Sequence, residues 1–139
     1  MSAKDDWLET EWISGGDQQG WVYRRDRAPA VPVGDAGYPN VAFLTVSFDR
    51  GERMGQPPAA EIEALAEFLD DAVEALSMEG VAIPVAEVLK PGMRELLFYT
   101  RSSREFGAIA DVLALHFPQY RLVHAVFGDP LWLQYRELP

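Results

Sequence analysis

The apolar periodicity between residues 41 and 127 constrains the fold of this chain more than any other feature. Four short runs have the composition of β-strands, and two longer segments repeat apolar residues every three or four positions, as a helix facing a core does. The strand-like runs are residues 41–48, 81–89, 93–101 and 120–127. The predicted order is therefore strand, helix, strand, strand, helix, strand.

Both predicted helices carry sequence signals at their ends. Pro57 and Pro58 suit the first turn of the first helix, and Gly80 can adopt the left-handed conformation that ends it. Ser102 and Glu105 have the spacing of a capping box at the start of the second helix. The apolar stripes are Ile62, Leu65, Ala66, Leu69, Ala72, Val73 and Leu76, and Phe106, Ile109, Ala110, Leu113 and Phe117.

This order predicts an α+β domain, a ferredoxin-like βαββαβ sandwich. Right-handed crossovers place both helices on one face of an antiparallel four-stranded sheet. Pro84 lies in the second strand and cannot donate to a neighbour, so this strand is expected at the edge of the sheet. The residues expected in the core are Leu65, Leu69, Leu96, Phe98, Ile109 and Leu113.

The segments outside residues 41–127 are expected to complete a single domain that spans residues 1–139. Residues 7–25 predict an N-terminal β-hairpin, because two alternating runs flank a glycine-rich connection. Residues 128–139 form a C-terminal tail that contains Trp132.

The helices should leave one face of the sheet uncovered. Phe43, Leu97, Tyr99 and His124 are the residues that we expect on that face. A large exposed apolar surface is unfavourable unless it binds a partner. We therefore expect the tryptophan-rich hairpin and the Trp132 tail to fold across it.

Composition excludes several classes of site and partner. The chain has no Cys and two His, and its net charge is −10. Without Cys there are no disulfides and no thiolate metal sites, and with two His a histidine-rich site is nearly excluded as well. Such an acidic chain is repelled by nucleic acid and by anionic membranes. A polar, acidic start and the lack of a long apolar run favour a cytoplasmic protein.

No group of residues predicts catalysis, metal binding or a cofactor. Ser102 is explained as a helix cap, His116 as a cation near a helix C-terminus, and His124 lies within an apolar strand. The glycine-rich residues 15–20 lack the Gly-Lys-Ser/Thr ending of a phosphate-binding loop. The predicted set of catalytic, cofactor and metal residues is therefore empty.

Two clusters of charge remain. Residues 54–89 contain eight carboxylates and no Lys, Arg or His: Glu61, Glu63, Glu67, Asp70, Asp71, Glu74, Glu79 and Glu87. Their ordinary interpretation is a solvated helix face; the functional alternative is a surface that binds a basic protein partner. The residues predicted to bind that partner are Glu63, Glu67, Asp70, Asp71 and Glu74. Arg24, Arg25 and Arg27 either protect a strand edge or stack on single-stranded bases.

The chain resembles a bacterial family catalogued as domain-of-unknown-function family 695, from about residue 7 to residue 135. The resemblance rests on the following residues and motifs: Trp21, Tyr38-Pro39, Gly55-Gln56-Pro57-Pro58, Gly92-Met93-Arg94-Glu95, Phe98-Tyr99 and Asp129-Pro130-Leu131-Trp132-Leu133-Gln134-Tyr135. It implies a ferredoxin-like sandwich and no established activity. More distantly, the acidic helix and the ending with Trp132 and Tyr135 are similar to the regulator of ribonuclease E activity B, an acidic inhibitor that binds the ribonuclease.

These observations favour a non-catalytic interaction or regulatory module over an enzyme. The alternative is an enzyme or ligand-binding protein with a pocket between the hairpin and the open sheet face. The oligomeric state is left open by the sequence.

Overall fold

Six antiparallel strands form one sheet in the part of the chain that the structure describes. The computed structural model describes residues 7–12, 21–47, 59–90, 93–118 and 120–138, without the side chains of residues 7–12, 21, 59–63 and 65. The strands are β1 Trp7–Trp12, β2 Trp21–Asp26, β3 Asn40–Ser47, β4 Ala82–Lys90, β5 Met93–Thr100 and β6 Arg121–Gly128. Their order across the sheet is β1-β2-β4-β5-β3-β6.

Three α-helices accompany the sheet in the described residues. They are α1 Ala59–Ser77, α2 Ser103–His116 and the short α3 Leu133–Arg136, and a single 3₁₀ turn, Met78–Gly80, follows α1. The α2 cap has the predicted chemistry, since the Ser102 hydroxyl accepts a hydrogen bond from the Glu105 N–H at 3.1 Å. Gly80 has the predicted left-handed backbone, with φ +74°.

The first core lies between the sheet and the two long helices. Leu69, Leu96, Phe98 and Leu113 are buried there as predicted, and Ile109 packs against them while partly exposed. The side chain of Leu65 lies outside the described residues. The predicted stripe of α1 contained one error, because Ala66 is exposed and Phe68 is buried. The Phe68 ring packs against Phe117 and Tyr120, with centroids 4.6 and 4.7 Å away.

The second face of the sheet, the one away from α1 and α2, is also covered. Phe43, Leu97 and Tyr99 lie on it as predicted, and its core includes Trp132 and Tyr135 from the tail. Residues of the loop between β2 and β3 pack there too: Val31, Val33 and Tyr38. The tail therefore covers this face, as expected.

Two predictions about the second face were wrong. The hairpin strand β2 pairs with β4 within the sheet, so backbone hydrogen bonds place the hairpin at the sheet's end. His124 lies on the helix side instead, because it is opposite Leu44, a residue of the first core. Paired residues on adjacent strands share a face.

The strand that contains Pro84 is not at the edge of the sheet. β4 pairs with β5 on one side and with β2 on the other. The β2 pairing covers residues 86–89, and the register with β5 shifts between Pro84 and Ala86. Pro84 therefore lies beyond the end of β2 and beside a bulge, so no β2 residue pairs with it there. The edge that Pro84 predicted is therefore present in the half of β4 that contains Pro84, but not in residues 86–89, which pair with β2.

Candidate functional site

The predicted acidic surface lies on the solvent side of α1. Glu67, Asp70, Asp71 and Glu74 are all exposed, whereas the side chain of Glu63 lies outside the described residues. The opposite side of the helix buries Phe68, Leu69, Ala72 and Leu76. The periodicity of α1 thus separates an apolar face from an acidic one, and we call these four exposed carboxylates the acidic face.

Two of the eight carboxylates do not belong to that face. Glu87 lies in β4, where its Oε1 accepts a hydrogen bond from Arg94 Nη1 at 2.8 Å and stands 3.8 Å from Arg24 Nη1. Glu79 lies in the 3₁₀ turn after α1, and its carbonyl oxygen accepts a hydrogen bond from Arg101 at 3.0 Å. Of the eight acidic residues, Glu79 and Glu87 therefore lie near arginines, and the acidic surface is confined to α1.

The arginine cluster after the hairpin is used within the fold. Arg25 approaches the Tyr135 ring, with 5.7 Å from its guanidinium carbon to the ring centroid, and its Nη1 is 3.5 Å from the Leu138 carbonyl oxygen. Arg24 is the neighbour of Glu87 described above. Because β2 has strands on both sides, the interpretation that these arginines protect an edge was wrong. Both instead connect the hairpin to the rest of the domain.

A buried polar arrangement surrounds Asp129, which is 7% exposed. Its carboxylate accepts hydrogen bonds from the Tyr99 hydroxyl at 2.7 Å and from the backbone N–H groups of Leu133 and Gln134 at 2.9 and 3.0 Å. Asp129 thus binds the first two N–H groups of α3 and ties this helix to β5.

Hydrogen bonding keeps this carboxylate ionised. Burial by itself would raise the pKa of Asp129, but the Tyr99 hydroxyl and the two N–H donors outweigh it and hold the pKa below its usual value. Burial and the hydrogen bond to Asp129 raise the pKa of Tyr99. The pair can therefore be described as a neutral phenol donating a hydrogen bond to a carboxylate.

Replacement of Asp129 by asparagine should make stability depend less on pH. Since the folded-state pKa is lowered, the carboxylate stabilises the fold above its unfolded-state pKa, and this contribution is lost as the pH falls through the folded pKa. We expect Asp129→Asn to lower the free energy of unfolding by about 1–3 kcal/mol at neutral pH and by less in acid. Urea titrations at several pH values measure this. Asp70→Asn, at an exposed carboxylate of the acidic face, is the control, and an equal loss at every pH for Asp129→Asn would contradict the prediction.

The two histidines are separate from this arrangement. His116 is exposed in the last turn of α2, as predicted. His124 Nε2 lies 3.2 Å from Asp111 Oδ1 on α2, and its ring is 6.5 Å from that of Phe106. Within the described ranges, no group of three or more His, Asp or Glu could hold a metal ion. No described helix is both long and apolar enough to cross a bilayer.

A protein-family model described as a family of unknown function, DUF695, matches residues 32–138. The chain belongs to DUF695. No curated protein and no solved structure matches it.

The region that matches DUF695 contains both cores but starts after the hairpin. It includes the β2–β3 loop from residue 32, the strand–helix unit and the tail that covers the second face. Trp21 lies before it, so that part of the resemblance falls outside the match. The motif from Asp129 to Tyr135 carries part of the family resemblance, but its role in binding the tail to β5 was not predicted from the sequence. The sequence offered no standard capping signal, because an N-cap side chain binds N–H groups two or three residues later, whereas Asp129 binds those four and five residues later.

Proposed function

We propose that this DUF695 chain is a cytoplasmic, non-catalytic interaction module whose acidic face on α1 binds a basic protein partner. The observation that carries the proposal is the exposure of four carboxylates, Glu67, Asp70, Asp71 and Glu74, on a helix without Lys, Arg or His. Such a surface makes a negative field that increases the association rate of a positively charged partner.

The other polar groups described above support this proposal, because internal contacts already use them. Asp129 and Tyr99 bind each other and α3, and Glu87 is bound by Arg94. A catalytic site needs polar groups that converge on a cavity and remain available to a substrate. The alternative, a pocket between the hairpin and the second face, has weaker support, since Trp132 and Tyr135 fill that face and the hairpin extends the sheet.

The topology adds a fold-level proposal. Within the unit from β3 to β6, the strand order β4-β5-β3-β6 and the element order βαββαβ support a ferredoxin-like sandwich to which the hairpin adds two strands. This fold hosts many functions, so it supports the architecture and not the activity. The distant similarity to the regulator of ribonuclease E activity B, which is an acidic inhibitor, is compatible with a basic partner.

Charge reversal on α1 should abolish partner binding and leave the fold intact. We expect the triple variant Glu67→Lys, Asp71→Lys and Glu74→Lys to lose a partner identified by pull-down, because it replaces an attractive field by a repulsive one. Association of the parent should slow markedly with added salt, since screening shortens the field to about 10 Å at 0.1 M. Stopped-flow or surface-plasmon measurements of the association rate check both results.

A second triple variant controls for net charge. Reversal of Glu105, Asp111 and Glu137, which are exposed and lie off α1, takes the net charge from −10 to −4 just as the first variant does, because each reversal adds two units. This variant should bind nearly as well as the parent. If the α1 variant also binds like the parent, the acidic face is only a solvated surface.

A further inference from the structure

The outer edge of β6 is unprotected in the described part of the chain. β6 is the last strand of the sheet order, and it pairs with β3 through eight consecutive residue pairs without a bulge. Its sequence, RLVHAVFG, contains no Lys, Pro, Asp or Glu, and its one arginine, Arg121, is confined to the first position. Natural proteins usually block an exposed edge with such residues or with a bulge, since its free N–H and C=O groups can pair with another strand.

Exposed apolar side chains flank this edge on both faces. On the second face are Val123, 54% exposed, and Phe127, 59% exposed, whose ring packs against Phe43 at 6.1 Å. On the helix face, α2 meets β6 where Asp111 contacts His124. Leu115, one turn beyond Asp111, is 81% exposed. Among the described large hydrophobics that are exposed, Met78 is the one outside α2, β6 and the tail.

We propose that β6 pairs antiparallel with β6 of a second copy, so that the two sheets become one continuous twelve-stranded sheet around a two-fold axis. A two-fold axis normal to the sheet keeps the helices of both copies on the same face. Residues opposite each other then share a face, as they do within the sheet.

The register is set by the apolar residues of the second face. With Ala125 opposite Ala125 of the second copy, Val123 of each chain lies opposite Phe127 of the other. The smallest side chain then lies on the axis, and the larger ones fill the space on either side. A register centred on His124 would instead put two imidazoles together and Arg121 against Phe127. The α2 helices flank the same axis, where Leu115 of each copy becomes covered.

The distribution of charge permits this pairing despite the net charge of −10. α2 packs on β6, and α1 contacts α2 and β4. α2 is thus the helix next to the β6 edge, so the acidic faces on α1 do not meet across the axis, and salt screens charges more than about 10 Å apart at 0.1 M. Repulsion between copies is therefore weak, whereas a strongly basic or acidic partner would find little to attract it on β6.

The first test is the mass of the full chain by light scattering during gel filtration, over a wide range of concentration. The parent should approach twice its 15.5 kDa mass. Val123→Lys with Phe127→Lys should stay monomeric, and Met78→Lys, a lysine at an exposed apolar site remote from β6, should remain dimeric. A parent that is monomeric at every concentration, or a dimer that the β6 variant preserves, would overturn the proposal.

The second test is cross-linking, which the lack of native Cys makes specific. Ala125→Cys should form an intermolecular disulfide rapidly, because bridged Cβ atoms must lie within about 4.5 Å of each other. Met78→Cys and Val123→Cys should not, since neither residue lies opposite itself. This readout does not depend on the lysine variant folding. Failure of Ala125→Cys, or faster cross-linking of Val123→Cys, would overturn the proposed interface.

Discussion

Replacing Trp132 by alanine should lower the free energy of unfolding by about 3–5 kcal/mol. The side chain is fully buried on the second face, where it stacks on Tyr99 with centroids 4.0 Å apart and planes within 7°. Its indole N–H donates to the Tyr38 carbonyl oxygen at 3.0 Å, which also ties the tail to the β2–β3 loop. The substitution therefore removes a large apolar group and leaves a part-buried carbonyl without its donor.

The backbone at Trp132 shows how strongly this packing is favoured. Its φ is +56°, a left-handed conformation that costs a non-glycine residue about 1–2 kcal/mol. The conformation turns the chain between the Asp129 carbonyl, which accepts the Trp132 N–H at 3.0 Å, and the start of α3. The stabilisation from burying the indole must exceed this conformational cost. The indole therefore anchors the tail.

Urea denaturation followed by circular dichroism measures the effect of Trp132→Ala. The matched control is Leu131→Ala at the neighbouring, 63% exposed position, where we expect a change within about 0.5 kcal/mol. Trp132→Phe should fall between the two, since it keeps an aromatic ring on Tyr99 but loses the N–H donor. A loss below about 1 kcal/mol for Trp132→Ala would mean that the tail does not pack on the second face.

Replacing Leu69 by alanine should cost about 2–5 kcal/mol. Leu69 is 6% exposed and belongs to the first core, on the side of α1 that faces the sheet. The cost combines the lost transfer free energy of the side chain with the cavity that remains, and neighbouring Phe68 and Leu76 cannot fill that cavity without leaving their own positions.

The control for Leu69→Ala is Met78→Ala, which removes a similar apolar volume from a 59% exposed position just after α1. We expect it to change stability by less than about 0.5 kcal/mol. Thermal or urea unfolding of both variants makes the comparison. A loss at Leu69 no larger than that at Met78 would show that α1 is rotated relative to the orientation described here.

Local signals in the sequence determined most of the secondary structure. The Ser102–Glu105 cap, the stop at Gly80 and the strand periods from β3 to β6 each depend on residues a few positions apart, so they can be recognised without the fold. The acidic face was predictable for the same reason, because α1 separates its apolar and charged residues by helical period alone. The sequence could not show whether Ala66 or Phe68 is buried, since both fit an apolar stripe. Only the position of the Phe117 and Tyr120 rings favours burial of Phe68.

Tertiary structure decided which edges are paired and what covers each face. Pro84 indicated an edge, yet β2 pairs with the other half of the same strand, because a proline blocks hydrogen bonds only at its own position. Asp129 and Tyr99 are 30 residues apart in the chain, and only the fold brings the hydroxyl to the carboxylate. Contacts of this kind depend on how distant segments meet. Helical and strand periods specify which side of an element is apolar, but not which distant segment packs against it.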